Sequence, residues 1–222
     1  LLGWNPGTEK EIFSLPKLVK EFSIEKVQKG GAIFNIQKLD HINAFYIRQK
    51  PISALTKLCL PYLPKEVEKF PKKTLEKIIK AYQARLKKLS DITELTDFFF
   101  KDKLDYDKDI LRWKKMTDKE IKKSLEYSAQ TFLGVGKWDL KNLEKTLLGA
   151  AEKFNPVKSA ESGVQPKAGQ FDWVNKDRGY LLWPLRVALS GKEASASPFE
   201  IADILGKEAT LQRIQSAIDK II

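Results

Sequence analysis

The sequence predicts a mainly α-helical fold, with two helical lobes behind a short leading segment and no sheet larger than a small hairpin. Three observations carry this. Apolar residues recur at helical spacing almost throughout, strand-like alternation is scarce, and the apolar runs are bracketed by capping residues, prolines and glycines that start and stop helices.

Each element follows in chain order. Lys50-Pro51 and the cluster Pro61, Pro64 and Pro71 mark a join between residues 1–50 and a helical region. From Thr74 to Leu89, the residues Leu75, Ile78, Ile79, Tyr82, Leu86 and Leu89 share one face, while Lys77, Lys80, Lys87 and Lys88 point away, so the spacing predicts an amphipathic helix. A second join falls between about Tyr106 and Met116. Thr117-Asp118-Lys119-Glu120 is a capping box with Met116 and Ile121 placed as a hydrophobic staple, which predicts a helix from Asp118 to about Ala129. Gly134-Val135-Gly136, like Gly30-Gly31, reads as a turn. Asp139 is the N-cap candidate of a helix with Leu140, Leu143, Leu147, Ala151 and Phe154 on its inner face. The stretch from Asn155 to Tyr180, rich in Gly, Pro, Lys and Asp, reads as a long loop tethered by Phe171 and Trp173.

The end of the chain is punctuated most strongly. Pro184 suits the first position of a short helix carrying Leu185, Ala188 and Leu189, with Gly191 as its left-handed terminator. Ser197-Pro198-Phe199-Glu200 combines an N-cap, a first-turn proline and a capping-box glutamate, and Gly206 closes that helix. A final helix from Lys207 to Ile222 places Leu211, Ile214, Ile218 and Ile221 on one side. The small, polar loop Ser190 to Ser197 joins these helices, and the part after Gly191 is expected to be solvent-exposed. Trp113, Trp138 and Trp183 sit at helical phase and read as core residues. The resulting division is 1–50, 51–112 and 113–222.

Composition bounds the function. With 222 residues and 42% hydrophobic content the chain can bury one good core or two modest ones. The net charge of +11 is spread along the chain and densest in its middle third, a balance that attracts polyanions but also fits a plain solvated lysine surface. The single cysteine, Cys59 in Leu58-Cys59-Leu60, excludes an internal disulfide and reads as a small buried apolar residue. With a single histidine, His41, there is no His-rich or Cys/His metal cluster, and a Ser–His–Asp site would have to be built around it; on an amphipathic helix with no glycine-flanked serine nearby, it reads as a structural or surface residue. Neither GxxxxGK[ST] nor GxGxxG occurs. We therefore expect no catalytic residue, cofactor or metal site in this chain. There is no uninterrupted apolar run of about 18 residues and no signal-peptide pattern, so a cytoplasmic protein with no membrane partner is expected. The chain opens at Leu1, without a methionine and within an apolar stretch, which reads as a cut from a longer protein.

Three segments carry a resemblance. The first is Leu1-Leu2-Gly3-Trp4-Asn5-Pro6-Gly7-Thr8. The second runs from Phe13-Ser14-Leu15 to Phe22-Ser23, then through Gly31-Ala32-Ile33-Phe34-Asn35, Lys38-Leu39-Asp40, Asn43 and Tyr46-Ile47-Arg48. The third is Pro184-Leu185-Arg186-Val187-Ala188-Leu189-Ser190-Gly191 with Ser195, Ser197-Pro198 and Ile204-Leu205-Gly206-Lys207-Glu208. In this order they resemble bacterial glutamyl-tRNA synthetases, while residues 50–180 match weakly. The resemblance implies that residues 1–50 are the end of a stem-contact region and that 51–112 and 113–222 are two anticodon-binding subdomains, an α-helix cage. The family's catalytic domain carries a HIGH-like motif and a KMSKS-like loop. Neither is present here, and Lys114-Lys115-Met116-Thr117 only superficially echoes the second. The expected partner is the tRNA for glutamate. ATP and Mg2+ belong to the parent ligase, and this chain, expected to be a monomer, should be inactive by itself.

The resemblance also implies a site. Arg85, at the edge of the apolar stripe, matches the arginine with which some members read the third anticodon base, and its donor-only guanidinium suits the O2 and N3 acceptors of cytosine. The same position suits an ordinary surface arginine. Ser195, Ala196, Pro198 and Phe199 are placed against the first anticodon base, where small residues admit RNA to the backbone and the following helix offers N–H groups. That turn equally suits a plain helix–helix connection. Arg186 and Lys192 are candidates for phosphate contacts. The alternative function is a helical protein-interaction scaffold with a solvated basic surface.

Overall fold

The computed structural model describes residues 3–28, 30–31, 33–154 and 177–221. The proposed tether residues Phe171 and Trp173 lie outside them. Among the described residues there are ten α-helices: α1 Leu15–Glu21, α2 Ile36–Arg48, α3 Ile52–Cys59, α4 Lys72–Tyr82, α5 Asp91–Thr96, α6 Asp118–Leu133, α7 Leu140–Lys153, α8 Gly179–Ser190, α9 Pro198–Leu205 and α10 Lys207–Asp219. The only β-type pairing among them is an isolated antiparallel bridge between Trp4 and Val27, so the mainly α expectation holds. None of these helices is long and apolar enough to cross a membrane.

One core cluster of buried residues runs from Ile47 on α2 to Ile218 on α10. At its centre α6 packs on α8 and α10, α7 packs on α9, and α4 meets both α3 and α9. Cys59 is fully buried in this core, and burial pushes its thiol up to about 11, as suits an inert apolar position. The described residues before α2 are different in kind. Helix α1 buries none of its residues, and Leu15, Val19, Ile24 and Ile33 are exposed.

The capping signals are realised. Thr117 accepts from the Glu120 N–H while Glu120 accepts from the Thr117 N–H at 2.7 Å, and the staple residues Met116 and Ile121 are buried. Helix α6 continues beyond Ala129 to Leu133. Asp139 caps α7 through the Asn142 N–H at 3.0 Å. On α7, Leu143, Leu147 and Ala151 are buried, but Leu140, expected on the inner face, stays 40% exposed in the first turn.

Two helix boundaries differ from the sequence expectation for identifiable reasons. The helix expected over Thr74–Leu89 stops at Tyr82 and gives way to a 3₁₀ turn at Gln83–Arg85 and an extended Leu86. The Gln83 amide donates to the carbonyls of Ile47, Arg48 and Lys50 at 3.0, 3.2 and 2.9 Å, satisfying acceptors at the end of α2, and the Asp91 carboxylate takes the Lys87 and Lys88 N–H groups at 3.0 Å. These bonds, long-range for Gln83 and local for Asp91, take the place of another helical turn while Leu86 remains buried. Helix α8, in turn, starts at Gly179, upstream of Pro184, which lies inside it. The carbonyl that Pro184 cannot bond, that of Tyr180, accepts instead from the Ser124 hydroxyl on α6 at 2.8 Å. Gly191 terminates α8 in the left-handed region, as expected, at φ 67°.

Candidate nucleic-acid interface

The candidate residues separate in sequence but converge on Tyr82. Its side chain is fully buried at the end of α4, where burial raises the phenol's pKa, and its oxygen needs a partner in that setting. The partner is the Ala196 N–H, donating at 3.1 Å across 114 residues of sequence. Arg85, exposed on the following 3₁₀ turn, holds its guanidinium carbon 5.5 Å from the centre of the same ring. Lys77 adds a second tie between α4 and α9 through an ion pair with Asp203 at 2.8 Å. Arg85 and the Ser195–Phe199 turn thus share one support.

Arg186 completes the cluster. It projects from α8 and donates to the Ser195 carbonyl at 3.3 Å. Partial burial lowers its pKa, and the neighbouring Arg85 guanidinium lowers it further, with Tyr82 and Glu200 acting in the opposite sense. The two like charges are near enough to oppose one another, and the nearby Glu200 carboxylate is already engaged by the Ser197 N–H and hydroxyl, at 2.9 and 2.5 Å. The arrangement leaves positive charge available to an anionic or acceptor-rich ligand.

The turn itself departs from the expected exposure. Glu193 and Ala194 face solvent, but Ser195, Ala196 and Pro198 are buried, because the Tyr82 hydroxyl and Arg186 draw the turn onto the core. Its donors are also less free than expected: the Ala196 and Ser197 N–H groups are bonded and the Glu200 N–H is capped by the Ser197 hydroxyl. Among the described residues the Phe199 N–H has no such bond. Phe199 is half-buried at the rim, so the part of this turn that a ligand can reach is its edge, from Lys192 to Ala194 and at Phe199. Lys192 is not a free cation. It pairs with Asp97 at 2.6 Å and donates to the Glu94 carbonyl.

Beside Arg186 lies an open cleft of about 510 Å³, lined by Trp113, Asp177, Arg178, Leu182, Trp183 and Arg186 among others. Trp113 and Trp183 meet at 4.9 Å between centroids with their planes tilted by 39°, and both are half-buried, packed against the core as their spacing predicts while lining the cleft. Burial alone would raise the Asp177 pKa, but bonds from Lys114, the Trp113 Nε1 and the Gly179 N–H hold its carboxyl below the usual range. Gly179 is required for this packing, since a Cβ there would lie 2.3 Å from the Trp113 ring. Indole faces next to a guanidinium offer stacking and donor chemistry together. Trp138, also half-buried, lies away from this cleft, packed on Phe132 and donating to the Ala202 carbonyl at 3.0 Å.

On the other side of Arg85 an open cleft of about 590 Å³ runs between α2 and the 3₁₀ turn, lined by Gln37, Asp40, His41, Arg48, Arg85 and Lys87 among others. His41 is an exposed surface residue, and no group of His, Cys, Asp and Glu among the described residues is arranged to hold a metal ion. The echo at Lys114–Thr117 is a tight turn, with Lys114 at φ 52°, leading into the cap of α6. Sequence reasoning missed Tyr82 as a polar link and the Trp113–Trp183 cleft. The signal for the first was a tyrosine on an otherwise aliphatic stripe, whose hydroxyl must find a partner when buried.

Comparison with known proteins bears on this geometry. The family model described as "Anticodon binding domain" matches residues 54–158 and 175–218. The chain is 35% identical over its whole length to the glutamate–tRNA ligase of Clostridium kluyveri and 37% identical to that of Clostridium tetani, and it spans 41% of the length of each. Two solved structures share its fold. One is a glutamate tRNA ligase from Elizabethkingia meningosepticum, at a TM-score of 0.74 and 22% identity, covering all of this chain and 40% of that one. The other is the glutamate-tRNA synthetase from Elizabethkingia anophelis, at 0.69 and 24%, covering 99% and 39%. Since the family model accounts for most of the chain, including the Tyr82, Arg85, Arg186 and Ser195–Phe199 cluster, this protein belongs to the anticodon-binding domain family, within a group of glutamate–tRNA ligase relatives.

Proposed function

We propose that this chain binds the anticodon arm of the tRNA for glutamate and serves as the RNA-reading part of a glutamate–tRNA ligase. The observation that carries the proposal is the convergence of Arg85, Arg186 and the Ser195–Phe199 turn on Tyr82. Sequence specificity in RNA is read largely on unstacked bases, by edge hydrogen bonds and by stacking. Arg85 offers donors to an acceptor-rich edge, the half-buried Trp113–Trp183 pair at the cleft offers a stacking surface, and Arg186 lines the same cleft. Phe199 and the Phe199 N–H supply the reachable edge of the turn. In this reading residues 1–50 end a stem-contact region, and 51–112 and 113–222 are the two halves of the reader.

The parent ligase would use ATP and Mg2+ to attach glutamate to the tRNA. In this reading the chain contributes recognition, and its sequence carries neither the GxxxxGK[ST] nor the GxGxxG phosphate-loop pattern. ATP–pyrophosphate exchange with glutamate and tRNA present should remain at background, and exchange above it from the pure chain would refute this division of labour.

The reading of the partner is tested by titrating the chain with an anticodon stem-loop at several salt concentrations. Affinity should fall linearly on a log–log plot as phosphate contacts release counterions. Binding that ignores both salt and loop sequence, or no binding at all, would favour a protein-interaction scaffold instead.

A further inference from the structure

We propose that Tyr82 is a positioning residue that sets the register between the two base-reading elements: its hydroxyl pins the Ser195–Phe199 turn through the Ala196 N–H, and its ring carries Arg85. The inference rests on the anticodon-reading function proposed above. It does not require Tyr82 to touch RNA, since the side chain has no exposed surface.

The argument starts from the two elements taken separately. Arg85 stands on a short 3₁₀ turn, and among the described residues no hydrogen bond or ion pair ties its guanidinium to another side chain. The Ser195–Phe199 turn is anchored to its own helices by Gly191 at one end and the Ser197 cap at the other. Neither anchoring fixes the distance between them. Tyr82 does, because one rigid ring with two torsions meets Arg85 on its face and Ala196 at its hydroxyl. The ring is in turn held edge-on by Phe99 at 6.4 Å and 84°. A base-edge hydrogen bond loses strength steeply with misplacement, so an element that fixes the spacing of two readers governs discrimination more than affinity.

The Ala196 N–H is buried, and without the phenolic oxygen it has no other acceptor, which gives the turn a reason to shift when that oxygen is removed. Lys77–Asp203 joins the same two helices without touching the turn, and so provides a matched comparison.

The experiment compares the wild-type chain with Tyr82→Phe and Lys77→Gln. Tyr82→Phe keeps the core filled and removes one oxygen. Two readouts are taken. Hydrogen exchange at the Ala196 amide should accelerate at least about tenfold in Tyr82→Phe and stay unchanged in Lys77→Gln. Binding is measured to stem-loop pairs that differ only at the first or only at the third anticodon base. In Tyr82→Phe the first-base preference should fall about threefold or more. The third-base preference should stay within about twofold, because the ring under Arg85 remains, and the salt slope should not move. The inference is overturned by unchanged exchange at Ala196, by a first-base preference that survives faster exchange, by equal weakening of all stem-loops with preferences intact, or by Lys77→Gln reproducing the effect. A wild-type chain that binds stem-loops without any base preference would instead defeat the reading function, and this inference with it.

Discussion

The Ser124 hydroxyl donates at 2.8 Å to the Tyr180 carbonyl, the backbone acceptor that Pro184 leaves without its helical donor four residues on. Ser124 is fully buried on α6, so this bond lets a proline sit inside α8 while joining two helices at the centre of the core. It also fixes the helix that carries Trp183 and Arg186. Proline inside a helix normally costs stability and bends the chain, and here a neighbouring helix supplies the missing donor.

Ser124→Ala should therefore leave the partly buried Tyr180 carbonyl without this donor, at a cost of about 1–3 kcal/mol in urea unfolding. Combining it with Pro184→Ala, which restores a helical N–H for that carbonyl, should recover part of the loss. Additive losses in the double variant would show that the two residues do not share this acceptor.

The cap of α9 is a second local test. Ser197 accepts from the Glu200 N–H and its own N–H donates to the Glu200 carboxylate at 2.9 Å, so both halves of the capping box are present. Ser197→Ala should cost about 1 kcal/mol. A midpoint identical to wild type would argue that the box contributes nothing in solution.

These two cases also show what the sequence could reveal. The caps at Thr117, Asp139 and Ser197 and the left-handed Gly191 were legible because a helix end is specified by a few adjacent residues. The ends of α4 and α8 were not, because Gln83 reaches the carbonyls of α2 and Ser124 reaches Tyr180, partners far apart in sequence. The site followed the same rule. Arg85, Arg186 and the Ser195–Phe199 turn were legible one by one, whereas their meeting at Tyr82 depends on a contact spanning 114 residues, and that contact buries Ser195 and Ala196, which local composition reads as exposed.

Asp97 makes a pH-dependent prediction. Burial pushes its carboxyl up, but the bonds and charges of Lys101 and Lys192 outweigh burial and hold it below the usual range. A carboxyl depressed in the folded state contributes stability above its unfolded pKa of about 4, and that contribution is lost as pH falls through the folded value. Asp97→Asn should accordingly be less stable than wild type at neutral pH, with the gap closing in the acid range below about pH 4. It should also free Lys192 at the edge of the turn. A stability gap that stays constant from pH 7 to pH 2 would assign the effect to packing instead.

The most exposed prediction concerns Arg85 itself. Its guanidinium rests over the Tyr82 ring, lies within electrostatic reach of Arg186 and carries only donors, so an acceptor-rich edge such as that of cytosine is matched and the donor groups of guanine are not. If Arg85 contacts the third anticodon base, Arg85→Ala should weaken binding of a stem-loop with cytosine there by about 1–3 kcal/mol, reduce the preference over guanine, and leave the salt slope nearly unchanged. A phosphate contact has another signature, weakening every stem-loop alike and lowering the slope by about one unit. Arg186→Gln provides the comparison, since Arg186 also holds the Ser195 carbonyl and its loss should disturb the turn and hence the first base. The measurement is binding of wild type and both variants to stem-loops carrying cytosine or guanine at the third position. Equal losses for both RNAs in Arg85→Ala would assign this arginine to the backbone, and no loss for either would remove it from the interface altogether.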